Sequence, residues 1–166
     1  MTAGDQDGSC SGAYTITRAE AAAGFEIANE YGLCGRTDNF ATVAGCESGG
    51  SSNGADAAYK LFMKTGESVH VVLTRGFSTC AMPWNSDISL KIYGTPCSAD
   101  CSTCAQTCST QEYCLQSNSQ STTFVAPVSG WYDIVVDSRG AATGDVGGVF
   151  DLQVTLTCPG GACTCP

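Results

Sequence analysis

The chain has 166 residues, enough for one domain that withdraws about 70% of its unfolded surface from water and so holds a real core. Sixteen acidic residues against seven Lys and Arg give a formal charge of -9, which repels a phosphate backbone and argues against nucleic acid as a partner. Charged residues are only 14% while Gly, Ser and Thr are plentiful, the balance of an extracellular β protein. No apolar run approaches the roughly 18 residues of a membrane span.

Twelve cysteines, an even number, argue for an oxidising compartment, because cytosolic thiols are kept reduced. Most are read as disulfides. Twelve thiols allow on the order of ten thousand complete pairings, so the sequence leaves the connectivity open.

Residues 1–11 form an N-terminal tail without the apolar centre of an export signal, so a mature or trimmed chain is expected. Ala13 to Thr17 is a candidate strand. Arg18 to Tyr31 is the one helix candidate, but Gly24 interrupts it and no clean 3.6-residue stripe runs through it; a short helical turn and an irregular strand fit equally well. Glu47 to Ala55, with Gly49-Gly50-Ser51-Ser52-Asn53-Gly54, reads as a flexible loop.

A period of two then takes over. Tyr59, Leu61 and Met63 alternate with Lys60 and Lys64, and beyond the Thr65-Gly66 turn Val69, Val71 and Leu73 alternate with His70 and Thr74. Ile88, Leu90 and Ile92 alternate with Ser89, Lys91 and Tyr93, each run offering one apolar face to a core. Cys97 to Cys114 carries five cysteines and little apolar content, a stapled excursion. Phe124 to Asp137 contains two strand-like stretches punctuated by Pro127 and Ser129-Gly130, as in a hairpin, and Phe150, Leu152, Val154 and Leu156 close the pattern. Turn-spaced strands without long helices predict an all-β fold, a β-sandwich or jelly roll over residues 12–158, with a Cys-rich insertion at 97–114. Residues 159–166 read as a Cys-rich C-terminal linker, which suggests a piece of a longer surface protein.

Catalytic chemistry finds little support. His70, the one histidine, sits on the outward side of an alternating strand, and Gly50-Ser51-Ser52-Asn53-Gly54 has the spacing of a nucleophile elbow without the strand and helix that strain such a turn. Glu26, Glu30, Glu47 and Asp133 are read as the surface acids expected of so acidic a chain rather than as a hydrolytic pair. Cys101-Ser102-Thr103-Cys104, with Cys97 and Cys108, matches a zinc spacing, but disulfides suit the surrounding cysteines better. No catalytic residue is assigned. Trp84, in a predicted loop, is the better candidate platform for a sugar ring or aromatic polymer, and Trp131, on a predicted strand, is the second, with packing its default role.

The order Cys34-Gly35-Arg36-Thr37-Asp38-Asn39-Phe40, Gly54 to Phe62, Asp87 to Tyr93, Phe124 to Asp137 and Phe150 to Leu156 resembles the bacterial pre-peptidase C-terminal domains, especially Cys-rich versions in secreted and surface proteins. The resemblance spans roughly residues 12–158 and implies a non-catalytic jelly-roll-like sandwich that in some members binds calcium or an insoluble substrate. Where those domains commonly carry an acidic pair, this chain has Cys114-Leu115-Gln116-Ser117-Asn118. Asp38, Asn39, Asp56, Asp87 and Asp137 match acidic or amide positions of the family near strand ends, which makes calcium the candidate cofactor and these residues its candidate ligands; their alternative role is turn capping.

The function expected from these readings is an extracellular, non-catalytic attachment module of a secreted or cell-surface bacterial protein, binding carbohydrate or another insoluble polymer. The alternatives are a structural subunit of a cell-surface fibre or layer, and a secreted hydrolase.

Overall fold

The computed structural model describes residues 13–30, 56–75, 88–93, 111–116, 119–138, 150–161 and 163. Along them run Tyr14–Ile16 (β1), Arg18–Ala23 (α1), Phe25–Glu30 (β2), Asp56–Met63 (β3), Ser68–Arg75 (β4), Ile88–Tyr93 (β5), Gln111–Gln116 (β6), Ser119–Val125 (β7), Gly130–Ser138 (β8) and Phe150–Thr157 (β9). The strands form two sheets, ordered β1-β3-β8-β5-β6 and β2-β9-β4-β7. Among the described residues only β1 with β3 is parallel; the other ladders are antiparallel. The expected all-β sandwich is therefore the fold.

Alternation fixes which residues meet between the sheets. Ala57, Tyr59, Leu61 and Met63 of β3, Leu90 and Ile92 of β5, and Tyr132, Ile134 and Val136 of β8 face Val69, Val71 and Leu73 of β4 and Phe150, Leu152, Val154 and Leu156 of β9 in one buried cluster. At about 25 cal/mol per Å² of apolar surface, this burial is the principal stabilising term. Tyr59 and Phe150 meet edge to face across the sandwich, with ring centroids 6.5 Å apart.

Two sequence expectations change in the structure. Phe124 to Asp137 is not a hairpin, because β7 belongs to the four-stranded sheet and β8 to the five-stranded one, and residues 126–129 carry the chain across. Tyr132 pins this arch by donating its hydroxyl proton to the carbonyl of Val128 at 2.8 Å. The Thr65-Gly66 turn likewise passes from one sheet to the other, between β3 and β4. An alternating strand states which of its faces is buried, but not which strand lies beside it.

Over its described residues, 18–30, the ambiguous segment resolves into both of its readings. Thr17 accepts the backbone N–H of Glu20 at 3.2 Å while the Glu20 carboxylate accepts that of Thr17 at 2.9 Å, a reciprocal cap that starts α1. Gly24, at φ +88°, ends the helix in the left-handed region, and β2 follows immediately. Strand β6 overlaps Gln111 to Cys114, the end of the segment read from sequence as an excursion.

The cap delivers Arg18 to a buried position. Its Nη1 and Nη2 each donate to one carboxylate oxygen of Glu67 at 2.6 Å, and Nη1 also donates to the carbonyl of Phe62 at 3.1 Å. Glu67 further accepts the backbone N–H of Lys64 at 2.6 Å, and its carbonyl accepts that of Ala126 at 2.8 Å. Gly66 in turn donates to the Ala126 carbonyl at 2.8 Å, so the two sheet-crossing turns are zipped together at this point.

Removing one partner of a buried, bidentate pair leaves a charge in low dielectric, so Glu67→Gln should cost about 3–5 kcal/mol in urea unfolding at pH 7. The hydrogen bonds from Arg18 hold the Glu67 carboxyl below its ordinary 4.5. The pair's contribution is thus complete above about pH 4.5 and is lost as pH falls through the lower folded value, so the gap between wild type and variant should shrink at pH 3. An equal gap at both pH values would show that Glu67 acts through packing alone.

Candidate functional site

The two sheets differ on their outer faces. On the four-stranded sheet His70, Thr74, Thr123, Gln153 and Thr155 are exposed, the ordinary solvated side of an antiparallel sheet. His70 Nδ1 and Thr123 Oγ1 share a hydrogen bond of 3.1 Å, and Gln153 donates to Glu26 at 3.4 Å. These are cross-strand polar pairs in water.

On the five-stranded sheet several outward residues of β3, β5 and β8 are withdrawn from solvent. Register places them in rows: Asp56 opposite Asp137 opposite Ser89, Ala58 opposite Val135 opposite Lys91, Lys60 opposite Asp133 opposite Tyr93, and Phe62 opposite Trp131. Ala58, Val135 and Lys91 are essentially inaccessible, and Asp56 is fully buried. Lys91 and Tyr93, which alternate with the core residues of β5, are both buried as well. Alternation names the residues that point away from the inter-sheet core, but does not say whether that side meets solvent.

The buried face opens at its last row. Trp131 is 48% exposed and meets Phe62 edge to face, with centroids 5.6 Å apart and planes at 77°. Trp131 thus packs on Phe62 while about half of it stays exposed. Beside this row, Lys60 is half-buried, and Asp133 is buried rather than a surface acid. Burial pushes the Asp133 carboxyl up to about 6, against the opposing pull of the Lys60 ammonium. The row offers an indole face and edge, an ammonium and a carboxyl that changes charge near neutral pH, and so a flat apolar contact flanked by a donor and an acceptor. Phe62, Lys60 and Asp133 were not assigned to a binding site from the sequence. Their alternation with buried residues carried the signal, but the registration against Trp131 that unites them exists only in the sheet.

Of the calcium candidates, Asp56 and Asp137 stand directly opposite each other in the β3–β8 ladder. Asp38, Asn39 and Asp87 lie outside the described residues, as do Trp84, the Gly50 to Gly54 loop and the Cys101 to Cys104 pair. Among the described residues no group of three or more His, Cys, Asp or Glu side chains is arranged to hold a metal, so the Asp56–Asp137 pair alone does not make a calcium site. Cys158 and Cys163 form a disulfide, with Cα atoms 5.4 Å apart. No helix among the described residues is long and apolar enough to cross a membrane.

Between about pH 3.8 and 6 the folded chain holds a proton on Asp133 that the unfolded chain has released, so this group lowers stability as pH rises through that window. Asp133→Asn removes the penalty. It should stabilise the fold at pH 7.5, by up to about 3 kcal/mol, and change little at pH 3.5, where both states are protonated. Thermal melts at the two pH values check this, and a difference independent of pH would place the Asp133 carboxyl in ordinary solvent.

No protein-family model matches the chain, and no curated protein matches it. Among solved structures it is similar to PliG of Aeromonas hydrophila, a periplasmic inhibitor of g-type lysozyme, at 17% identity over 62% of this chain and 76% of that one, with a TM-score of 0.39. It is similar to CorA of Methylomicrobium album BG8, a surface-associated copper-binding protein, at 10% identity over 87% of this chain and 98% of that one, with a TM-score of 0.47. The pre-peptidase C-terminal domain of a Bacillus anthracis collagenase matches at 10% identity over 86% of this chain and 94% of that domain, with a TM-score of 0.41. At these identities and TM-scores the likenesses carry nothing about function.

Proposed function

We propose that the chain is a non-catalytic extracellular attachment module, akin to the Cys-rich pre-peptidase C-terminal domains, that binds carbohydrate or another insoluble polymer at the Trp131 end of the outer face of its five-stranded sheet. The observation that carries this reading is the half-exposed Trp131, braced by Phe62 at the point where an otherwise buried face opens, with Lys60 and Asp133 alongside. A braced indole loses little freedom on stacking against a sugar ring, and a flanking ammonium and carboxyl can fix the orientation of hydroxyls. The Cys158–Cys163 disulfide supports an oxidising location.

Binding without turnover is the expected outcome when the chain is mixed with a panel of insoluble polysaccharides and the supernatants are analysed for released sugars. Trp131→Ala should weaken binding by about 1–3 kcal/mol while leaving the melting temperature within a few degrees of wild type. Binding that is indifferent to Trp131, or steady product release abolished by mutating one acid, would overturn the reading.

Calcium enters as a stabiliser rather than as the ligand. The opposition of Asp56 and Asp137 supports a contribution from both, the remaining oxygens coming from elsewhere in the chain. Chelation should then lower the melting temperature and millimolar calcium restore it, with Asp56→Asn abolishing the response. Identical melts with chelator and with calcium would leave both acids as structural residues only.

A further inference from the structure

The Cys158–Cys163 disulfide is asymmetric. Cys158, directly after β9, is buried in the core cluster, whereas Cys163 is only partly buried. The chain returns from one to the other through Gly160 at φ +91° and Gly161 at φ +85°, conformations that side-chain-bearing residues rarely adopt, and the N–H of Gly161 donates to the carbonyl of Cys158 at 3.0 Å. The sulfur of Cys158 receives a hydrogen bond from Arg18 Nη2 at 3.7 Å, from the same guanidinium that holds Glu67.

We propose that this disulfide is a thiol-exchange site, at which an external thiolate takes Cys163 into a mixed disulfide and Cys158 leaves as a thiolate beside Arg18. The entering sulfur bonds to Sγ of Cys163, the Sγ–Sγ bond breaks, and its electron pair goes to Cys158; the entering thiol rises to the disulfide level as Cys158 falls to the thiolate level. Access selects Cys163, since an attacking sulfur must approach in line with the bond from solvent and Cys158 is closed to it. Arg18 selects the leaving group, because a thiolate stabilised by a directed N–H departs faster. Opening the bond releases a loop with a sequence separation of only 5, at the low end of what a disulfide contributes through chain entropy, so the sandwich survives it. The core position of Cys158 and the turn bond to its carbonyl keep the thiolate in place for reclosure. The site would thus accept a small thiol, or join the module covalently to a thiol-bearing partner, without unfolding either sheet.

Reduced glutathione is the probe. The full oxidised chain is incubated with it under native conditions, quenched with acid, blocked with maleimide and sequenced by tandem mass spectrometry, which separates Cys158, Cys163 and Cys165. Glutathione on Cys163 with maleimide on Cys158 should exceed the reverse arrangement at least tenfold. Equal or reversed labelling overturns the proposal, as does glutathione on Cys165 with the Cys158–Cys163 bond intact. Arg18→Gln and Glu67→Gln both break the buried ion pair, but only the first removes the donor to Cys158. Arg18→Gln should slow the exchange at least threefold and Glu67→Gln should not slow it. Acceleration in both variants would mean that exchange follows loosening of the fold, and would remove Arg18 from the step.

Discussion

The carboxylate of Glu67 is the point on which the sandwich closes. Two turns cross from one sheet to the other at this end of the molecule, and neither could be held by ladder hydrogen bonds, since each joins strands that do not pair. Glu67 supplies the missing constraint. Its side chain fixes Arg18 of the helix and the Lys64 amide of one crossing, and its backbone takes the Ala126 amide of the other. An ion pair so buried would be a poor source of net stability against a hydrophobic replacement, but it specifies geometry in a way that an apolar contact does not. The planar guanidinium sets the angle of α1, and through the carbonyl of Phe62 it also sets the end of β3, where the aromatic row begins.

The two outer faces divide the work of the fold. The four-stranded sheet meets water with hydroxyls, amides and an exposed histidine, as an ordinary antiparallel sheet does. Along its middle strands β3, β8 and β5 the five-stranded sheet has described residues buried on both sides, among them a lysine and two aspartates in a chain with so few charges. A charge in such a place is costly unless it is compensated, and the opposition of Lys60 to Asp133 shows one compensation, incomplete enough that the carboxyl titrates near 6. Trp131 marks the edge of this hidden surface, so a ligand seated there meets a face already stripped of much of its water.

Much of this was legible in the sequence. Period-two runs named nearly every core residue of β3, β4, β5 and β9, because burial between two sheets is what such a period encodes. Pairing was not legible: the same runs are compatible with hairpins, and the crossings depend on hydrogen bonds between Glu67 and Ala126, far apart in the chain. The helix was half visible. Gly24 was read correctly as an interruption, whereas the Thr17 to Glu20 spacing that starts the helix passed unnoticed because α1 is too short to show a stripe. Asp133 was read as a surface acid since nothing in a local pattern distinguishes a solvated outer face from a covered one. The site around Trp131 is likewise a product of register, which brings Phe62 beside it from the other side of the domain's middle third.

The strand order also dictates a timetable. Among the described strands only β5 and β6 are both consecutive and paired, and residues 94–110 intervene even there; every other ladder joins segments far apart, with β2 reaching across to β9. Such topologies have high contact order, and the entropy of closing long loops is spent before the pairing that rewards it. Strand β9, the last of the described strands in chain order, lies between β2 and β4, so β2 cannot join the β4–β7 pair until that strand arrives. Until β9 is available, β2 has no partner among the described strands and β4 can pair only with β7, so one edge of each stays open until the chain has passed residue 150.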